Sequence, residues 1–209
     1  MEVERPGPGE ELNTGEQTTP RPAATVMLLR GGPDMLEVLL VRRNPLARFM
    51  GGAWVFPGGA VDRDEGEGQA ALRAAAVREL AEEAGIELAA PAVLVPFSRW
   101  ITPAQIKTRF DTWFYLAALP EGASPTVDGS EIVDARWYRP EAALDAYRDG
   151  ELLLVFPTVK HLERLAAFRS ADAVFEHARG TDVEPVRPRV VLTGEIARIV
   201  LPGEPGYAD

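Results

Sequence analysis

The chain has 209 residues, 46% hydrophobic and 26% charged, a composition that suits one soluble globular domain with a sizeable core. It contains no cysteine, which excludes a disulfide framework, a thiolate zinc site and a thiol nucleophile. Its formal net charge of −10 argues against a nucleic-acid backbone as partner, because such binding needs a concentrated positive patch, although a metal can still bring a small phosphate ligand to an acidic protein.

Residues 1–20 carry five acids (Glu2, Glu4, Glu10, Glu11, Glu16) against one base (Arg5) and are rich in Pro, Gly and Thr. Without apolar periodicity this stretch cannot offset its ordering entropy by burial, and disorder is expected. It lacks the apolar run of a signal peptide, and no stretch approaches a membrane span, so no membrane partner and a cytoplasmic location are the expectation. One domain is expected over residues 21–205. Two β segments, residues 24–29 and 36–41, flank Gly31-Gly32-Pro33-Asp34, which has turn chemistry and predicts a hairpin. Residues 53–56 read as a short strand stopped by Pro57-Gly58-Gly59. After an acidic loop, the Ala-rich run over residues 69–84 has high helix propensity, and Gly85 supplies its stop. Strands follow at 93–100, 110–118 and 131–138, and Pro140-Glu141 can open a helix. Helices at 158–168 and 171–177 precede a closing hairpin from 190–192 and 197–201. The two histidines, His161 and His177, both fall in these helices and lack a second histidine at metal-ligand spacing, which favours packing or surface roles.

The chemistry concentrates in Arg78-Glu79-Leu80-Ala81-Glu82-Glu83-Ala84-Gly85-Ile86. At 100° per residue, Glu79, Glu82 and Glu83 fall within roughly 100° of one another on one helix face. Val77, Leu80, Ala81 and Ala84 fall on the other, so the helix can pack on a sheet and present three carboxylates outward. Like charges three or four residues apart repel, and anions in the last turn oppose the helix dipole, each on the order of a few tenths of a kcal/mol. Arg78 can pair with Glu82, but one guanidinium cannot neutralise three carboxylates. Oxygen-only ligands suit a hard divalent ion such as magnesium. A solvated acidic face is the bland alternative. Against it stands the upstream Gly58-Gly59, which lets backbone approach a ligand closely.

Gly59, Glu65 after five residues, and Arg78-Glu79-Leu80-x-Glu82-Glu83-x-Gly85-Ile86 together resemble the Nudix box, G-x5-E-x7-R-E-U-x-E-E-x-G-U with U aliphatic. The departure is in the middle, where twelve residues rather than seven separate Glu65 from Arg78. Phe56-Pro57-Gly58-Gly59, Trp100-Ile101-Thr102-Pro103, residues 109–114 and Phe156-Pro157-Thr158 extend the resemblance to a Nudix subgroup with a long box loop that includes peroxisomal coenzyme A diphosphatases. The resemblance implies an α/β/α sandwich with a mixed sheet. It implies magnesium, with manganese as substitute, held by Glu79, Glu83 and the Gly59 carbonyl. Glu82 would be a further ligand or base, Arg78 would orient the carboxylates, and Glu131 would bind metal or activate water.

The reaction implied is hydrolysis of a phosphoanhydride in a nucleoside diphosphate joined to another group. Residues 39–44 with Arg48, Gly51 and residues 56–59 partly resemble a coenzyme A signature, in which Arg43 and Arg48 would meet phosphate. ADP-ribose, dinucleotides and nucleotide sugars remain alternatives. Arg109 and Asp111 flank Phe110 and share a strand face, either lining the pocket or forming a surface pair. Trp54, Trp100, Trp113, Phe110 and Phe114 offer a stacking platform for a base or simply core packing. Two rival readings are a non-catalytic nucleotide-sensing Nudix domain and a purely structural calcium or magnesium site. The intact set of box glutamates favours an enzyme. The helices after Phe156 could also build a homodimer.

Overall fold

The structure is a computed structural model that describes residues 11–13, 15–193 and 196–207. Strand β1 (Arg21–Arg30) alternates two apolar sets: Ala24, Val26 and Leu28 point to one face, and Met27 and Leu29 to the other. A strand that is apolar on both faces belongs in the middle of a covered sheet. The turn after it requires glycine at Gly31, where φ is 101° and a Cβ would lie 1.6 Å from the Met35 carbonyl oxygen. It returns the chain as β2 (Glu37–Arg43), antiparallel to β1 with Leu29 opposite Val38, the expected hairpin.

The remaining sheet strands are β3 (Trp54–Val55), β4 (Gly58–Ala60), β5 (Val95–Ile101), β6 (Phe110–Ala118), β7 (Ile132–Tyr138) and β8 (Pro185–Val186). The eight strands form one sheet in the order β3-β2-β1-β6-β5-β8, with β4 also pairing β1 and β7 also pairing β2. Parallel pairing of β1 with β6 and of β5 with β8, among otherwise antiparallel neighbours, makes the sheet mixed. A hairpin of β9 (Arg189–Thr193) and β10 (Ile196–Val200) closes the described chain.

Helix α1 (Gly68–Ala84) covers one face, packing Leu72, Ala75, Ala76, Leu80 and Ala84 on the Val26, Leu28 and Tyr115 side. The other face, built on Met27, Leu29, Phe114 and Leu116, is covered by α2 (Pro140–Arg148), α3 (Phe156–Leu165) and α4 (Ala171–Arg179), which contribute Leu144, Leu162, Leu165, Val174 and Phe175. The result is the α/β/α sandwich with a mixed sheet that the resemblance implies. Among the described residues no helix is long and apolar enough to cross a membrane.

Two differences from the sequence reading matter for the site. Pro57-Gly58-Gly59 reads as the stop of a strand, yet Gly58–Ala60 forms β4 because Ala23, Ala24 and Thr25 of β1 offer it an antiparallel partner. Within the stretch 1–20, for which disorder is expected, residues 11–13 and 15–20 are described. Leu12 bridges Ile106, and the Asn13 N–H donates to the Gln105 carbonyl at 2.7 Å. Here pairing with another loop supplies the hydrogen bonds that the segment cannot make alone. Residues 1–10 and 14 lie outside the described residues.

Candidate active site

The site is built where α1 ends over β4. Gly85 takes the left-handed conformation at φ 63° and its N–H donates to the Ala81 carbonyl, so the helix stops one residue beyond the carboxylates. That end lies beside Gly58 and Gly59. The Gly58 N–H donates to Glu83 Oε2 at 2.9 Å. A Cβ on Gly59 would sit 2.2 Å from Glu79 Oε1, so only glycine leaves room for that carboxylate. The expectation of three outward carboxylates therefore needs correcting. Glu82 is exposed, whereas Glu79 is largely covered and Glu83 is only 5% exposed, because the tips of the latter two turn onto β4.

Two arginines organise these acids. Arg78 Nη1 donates to both Glu79 Oε1 and Glu82 Oε2 at 2.9 Å, its Nε donates to Glu65 Oε1 at 3.0 Å, and its Nη2 reaches the Ala60 carbonyl at 3.1 Å. The longer loop therefore still delivers Glu65 to Arg78. Arg43, at the end of β2, lies 3.7 Å from Glu83 Oε1 and donates to Glu131 Oε1 at 3.0 Å. Pairing of Arg43 with Ile132 across β2 and β7 brings Glu131 to this end of the sheet. Its own backbone is pinned on both sides: Asp128 accepts its N–H at 2.9 Å, and its carbonyl accepts the Asn44 N–H at 2.8 Å. The bonds that Asp128 accepts, that from the Ser130 hydroxyl foremost and then those from the Glu131 and Ile132 N–H groups, hold its carboxyl below its ordinary pKa. Asp128 is a supporting residue that sequence reasoning missed; a short Asp-Gly-Ser run was its only signal.

Burial dominates the electrostatics. It pushes the Glu83 carboxyl up to about 8, with Gly58 and Arg43 opposing and the neighbouring Glu79 and Glu131 charges adding to the rise. Burial also raises Glu79, against the opposing effect of Arg78. The Glu65 hydrogen bond does most to hold the Arg78 guanidinium above its ordinary value. These acids are short of positive charge, the Arg43 Nε is buried without a hydrogen-bond partner, and every donor is a hard oxygen. Such a set fits a divalent cation. As they stand, no three His, Asp or Glu side chains among the described residues converge on one ion position, since Arg78 and Arg43 take up their oxygens.

Glu79, Glu82, Glu83, Glu131, Arg43, Gly58 and Gly59 line one cavity of about 430 Å³. Phe49, Met50, Phe56, Phe110, Phe114 and Val155 line its apolar part, and Arg21 and Thr112 also face it. The substrate contacts expected from Arg109 and Asp111 are corrected by strand parity. Phe110, Thr112 and Phe114 face the cavity, whereas Asp111 forms a two-bond pair with Arg99 at 2.6 and 2.8 Å. Arg109 is buried and donates to the Thr102 and Thr18 carbonyls. Arg48 is exposed and outside the cavity lining. Trp54 and Trp100 are core residues. His161 has the expected packing role: wholly buried against Phe114, it donates from Nδ1 to the Pro157 carbonyl and accepts the Ser98 hydroxyl at Nε2, and burial lowers its pKa to about 3.

Fold and site together define an α/β/α sandwich whose glutamate helix ends at a Gly-Gly strand and an arginine-bearing cavity. The NUDIX domain family model matches residues 19–156, and the chain belongs to this family as a Nudix hydrolase. Nudix hydrolases generally work with divalent metal. A Caenorhabditis elegans protein carrying the provisional name nudix hydrolase 7 is 29% identical over 209 aligned residues, which cover 83% of this chain and 70% of that one. Human acyl-coenzyme A diphosphatase NUDT19 is 30% identical over 118 residues, covering 54% of this chain but only 32% of the human protein. The crystal structure of a NUDIX hydrolase from Alicyclobacillus acidocaldarius superposes with a TM-score of 0.69 at 29% identity, covering 76% of this chain and 96% of that one.

Proposed function

We propose that this Nudix hydrolase cleaves a phosphoanhydride bond in a nucleoside diphosphate joined to a second group, with magnesium, or manganese in its place, as cofactor. The observation that carries the reading is the meeting of four glutamates, Arg43 and the Gly58-Gly59 strand in one cavity that also has an apolar part. In this reading Glu79, Glu83 and the Gly59 carbonyl hold the metal, with Glu82 as a further ligand or as base. Bound divalent ions offset charge on the diphosphate oxygens and lower the pKa of coordinated water. Arg78 fixes the rotamers of Glu79 and Glu82 by charge-assisted hydrogen bonds. Glu82 or Glu131, both solvent-accessible, takes the proton from the attacking water. As the new P–O bond forms in line, the bridging P–O bond breaks and the second phosphate leaves. No covalent enzyme intermediate forms.

Arg43 rather than Arg48 is the cation of the β2 end available to substrate phosphate. The apolar lining suits a base or an acyl group. Coenzyme A and its acyl derivatives are the first substrates to test, followed by ADP-ribose, dinucleotides and nucleotide sugars; the small nucleotide-derived substrate is taken up without nucleic acid or membrane. Incubation of this panel with magnesium or manganese, with products identified by mass, is the test. Hydrolysis in oxygen-18 water places the label on one product phosphate and identifies the phosphorus attacked. Failure of the whole panel to release a nucleoside monophosphate or bisphosphate product would overturn the proposal.

A further inference from the structure

Residues 11–13 and 15–18, which precede the matched family domain, run along the loop from Thr102 to Arg109 and bond to it repeatedly. Lys107 donates its N–H to the Glu11 carbonyl at 2.9 Å, Asn13 donates its N–H to the Gln105 carbonyl at 2.7 Å, and the Thr18 hydroxyl donates to the Lys107 carbonyl at 3.0 Å. Between them Leu12 bridges Ile106, which is 1% exposed. The loop is one wall of the cavity, since Thr102, Thr108 and Phe110 line it.

Arg109 ties the layers together. It is 8% exposed, its Nη1 donates to the Thr18 carbonyl at 2.6 Å, and its Nε donates to the Thr102 carbonyl at 3.1 Å. The backbone closes the same joint, because the Arg21 N–H donates to the Arg109 carbonyl at 2.9 Å. A buried guanidinium that donates to two main-chain carbonyls is placed to fix backbone.

We propose that residues 11–13 and 15–18, locked by Arg109, are a positioning strap that holds the 102–110 wall in its substrate-binding shape. The inference rests on the proposed phosphoanhydride hydrolysis for its kinetic effect, but the strap itself has a separate readout. Glu79 and Glu83 are seated by α1 and β4, whereas the hydrogen bonds described above tie the strap to the 102–109 loop. Losing the strap therefore loosens substrate binding and leaves the chemical step in place.

The test compares the intact chain with a variant lacking residues 1–18 and with Arg109→Met, using deuterium exchange of peptides spanning 103–108 and steady-state kinetics on coenzyme A and ADP-ribose. Expected are exchange at least about tenfold faster in 103–108 with the 72–84 helix unchanged, and a KM raised about tenfold with kcat within about twofold. Arg109→Lys, which can reach only one of the two carbonyls, falls between the wild type and Arg109→Met. Unchanged exchange in 103–108 overturns the strap, as does faster exchange throughout the chain or a loss confined to kcat. If the intact chain hydrolyses no member of the wider panel, the hydrolysis reading fails, and the exchange comparison alone decides the strap.

Discussion

Glu83→Gln should move stability and activity in opposite directions. Glu83 is 5% exposed, and burial pushes its carboxyl from an ordinary 4.5 to about 8. A group whose folded pKa is raised takes up a proton on folding, so its contribution is most favourable below about 4.5 and is lost progressively as pH rises to about 8. Because pH 7 lies roughly 2.5 units above the unfolded pKa and still below the folded one, the cost of the ionisable side chain in the metal-free protein has an upper bound of about 3 kcal/mol. Glutamine keeps the acceptor for the Gly58 N–H and loses the Arg43 attraction at 3.7 Å, so a gain of about 1–2 kcal/mol is expected. Turnover at saturating magnesium should fall at least about a hundredfold, or roughly 2.7 kcal/mol of barrier. Urea unfolding in chelator between pH 5 and 9, beside turnover with the best substrate of the panel, measures both. A fall in turnover of less than about tenfold, or a variant less stable than the wild type at pH 8 without metal, would refute the reasoning.

Gly59→Ala places a Cβ 2.2 Å from Glu79 Oε1 and should lower kcat/KM about a hundredfold through displacement of that carboxylate; a wild-type rate would show that the close approach is irrelevant. Arg78→Lys retains charge but cannot make the four-acceptor fork to Glu65, Glu79, Glu82 and Ala60, and magnesium affinity measured by calorimetry should fall about 10–100-fold. His161 binds its proton in the unfolded state near 6.5 but only near 3 when folded, so stability is present above about 6.5 and declines as pH falls toward 3. The loss of stability it causes between pH 7 and pH 5 should be about 2 kcal/mol, and urea titrations of the wild type and His161→Gln that show the same pH dependence would contradict it. Chelation should abolish turnover and added magnesium or manganese restore it; undiminished hydrolysis in excess chelator would remove the metal role from Glu79 and Glu83.

What the residues revealed in advance follows from how local each feature is. Arg78, Glu79, Glu82, Glu83 and Gly85 lie within three turns of one helix, so helical geometry alone brings them together. Hairpin β1–β2 is equally local, with its turn chemistry between two apolar runs. The pairing of Arg43 with Glu131 joins residues 88 apart and exists only because β7 finds β2, which no periodicity announces. Strand β4 is a harder case: Gly-Gly-Ala has little β propensity, and β1 imposes the conformation from outside. Parity decided the error at Arg109 and Asp111. In residues 110–114, Phe-Asp-Thr-Trp-Phe, aromatic and polar residues fall on both faces, so hydrophobic alternation cannot say which set meets the cavity. Parallel pairing of β6 with β1 settles it, setting Thr112 beside Ala23 and Phe114 beside Thr25 on the cavity side, and leaving Asp111 to Arg99. Three of the site's four glutamates are thus a property of one helix, whereas Glu131 and the walls that choose the substrate depend on strand register, which is why the class of reaction is easier to read than the molecule it acts on.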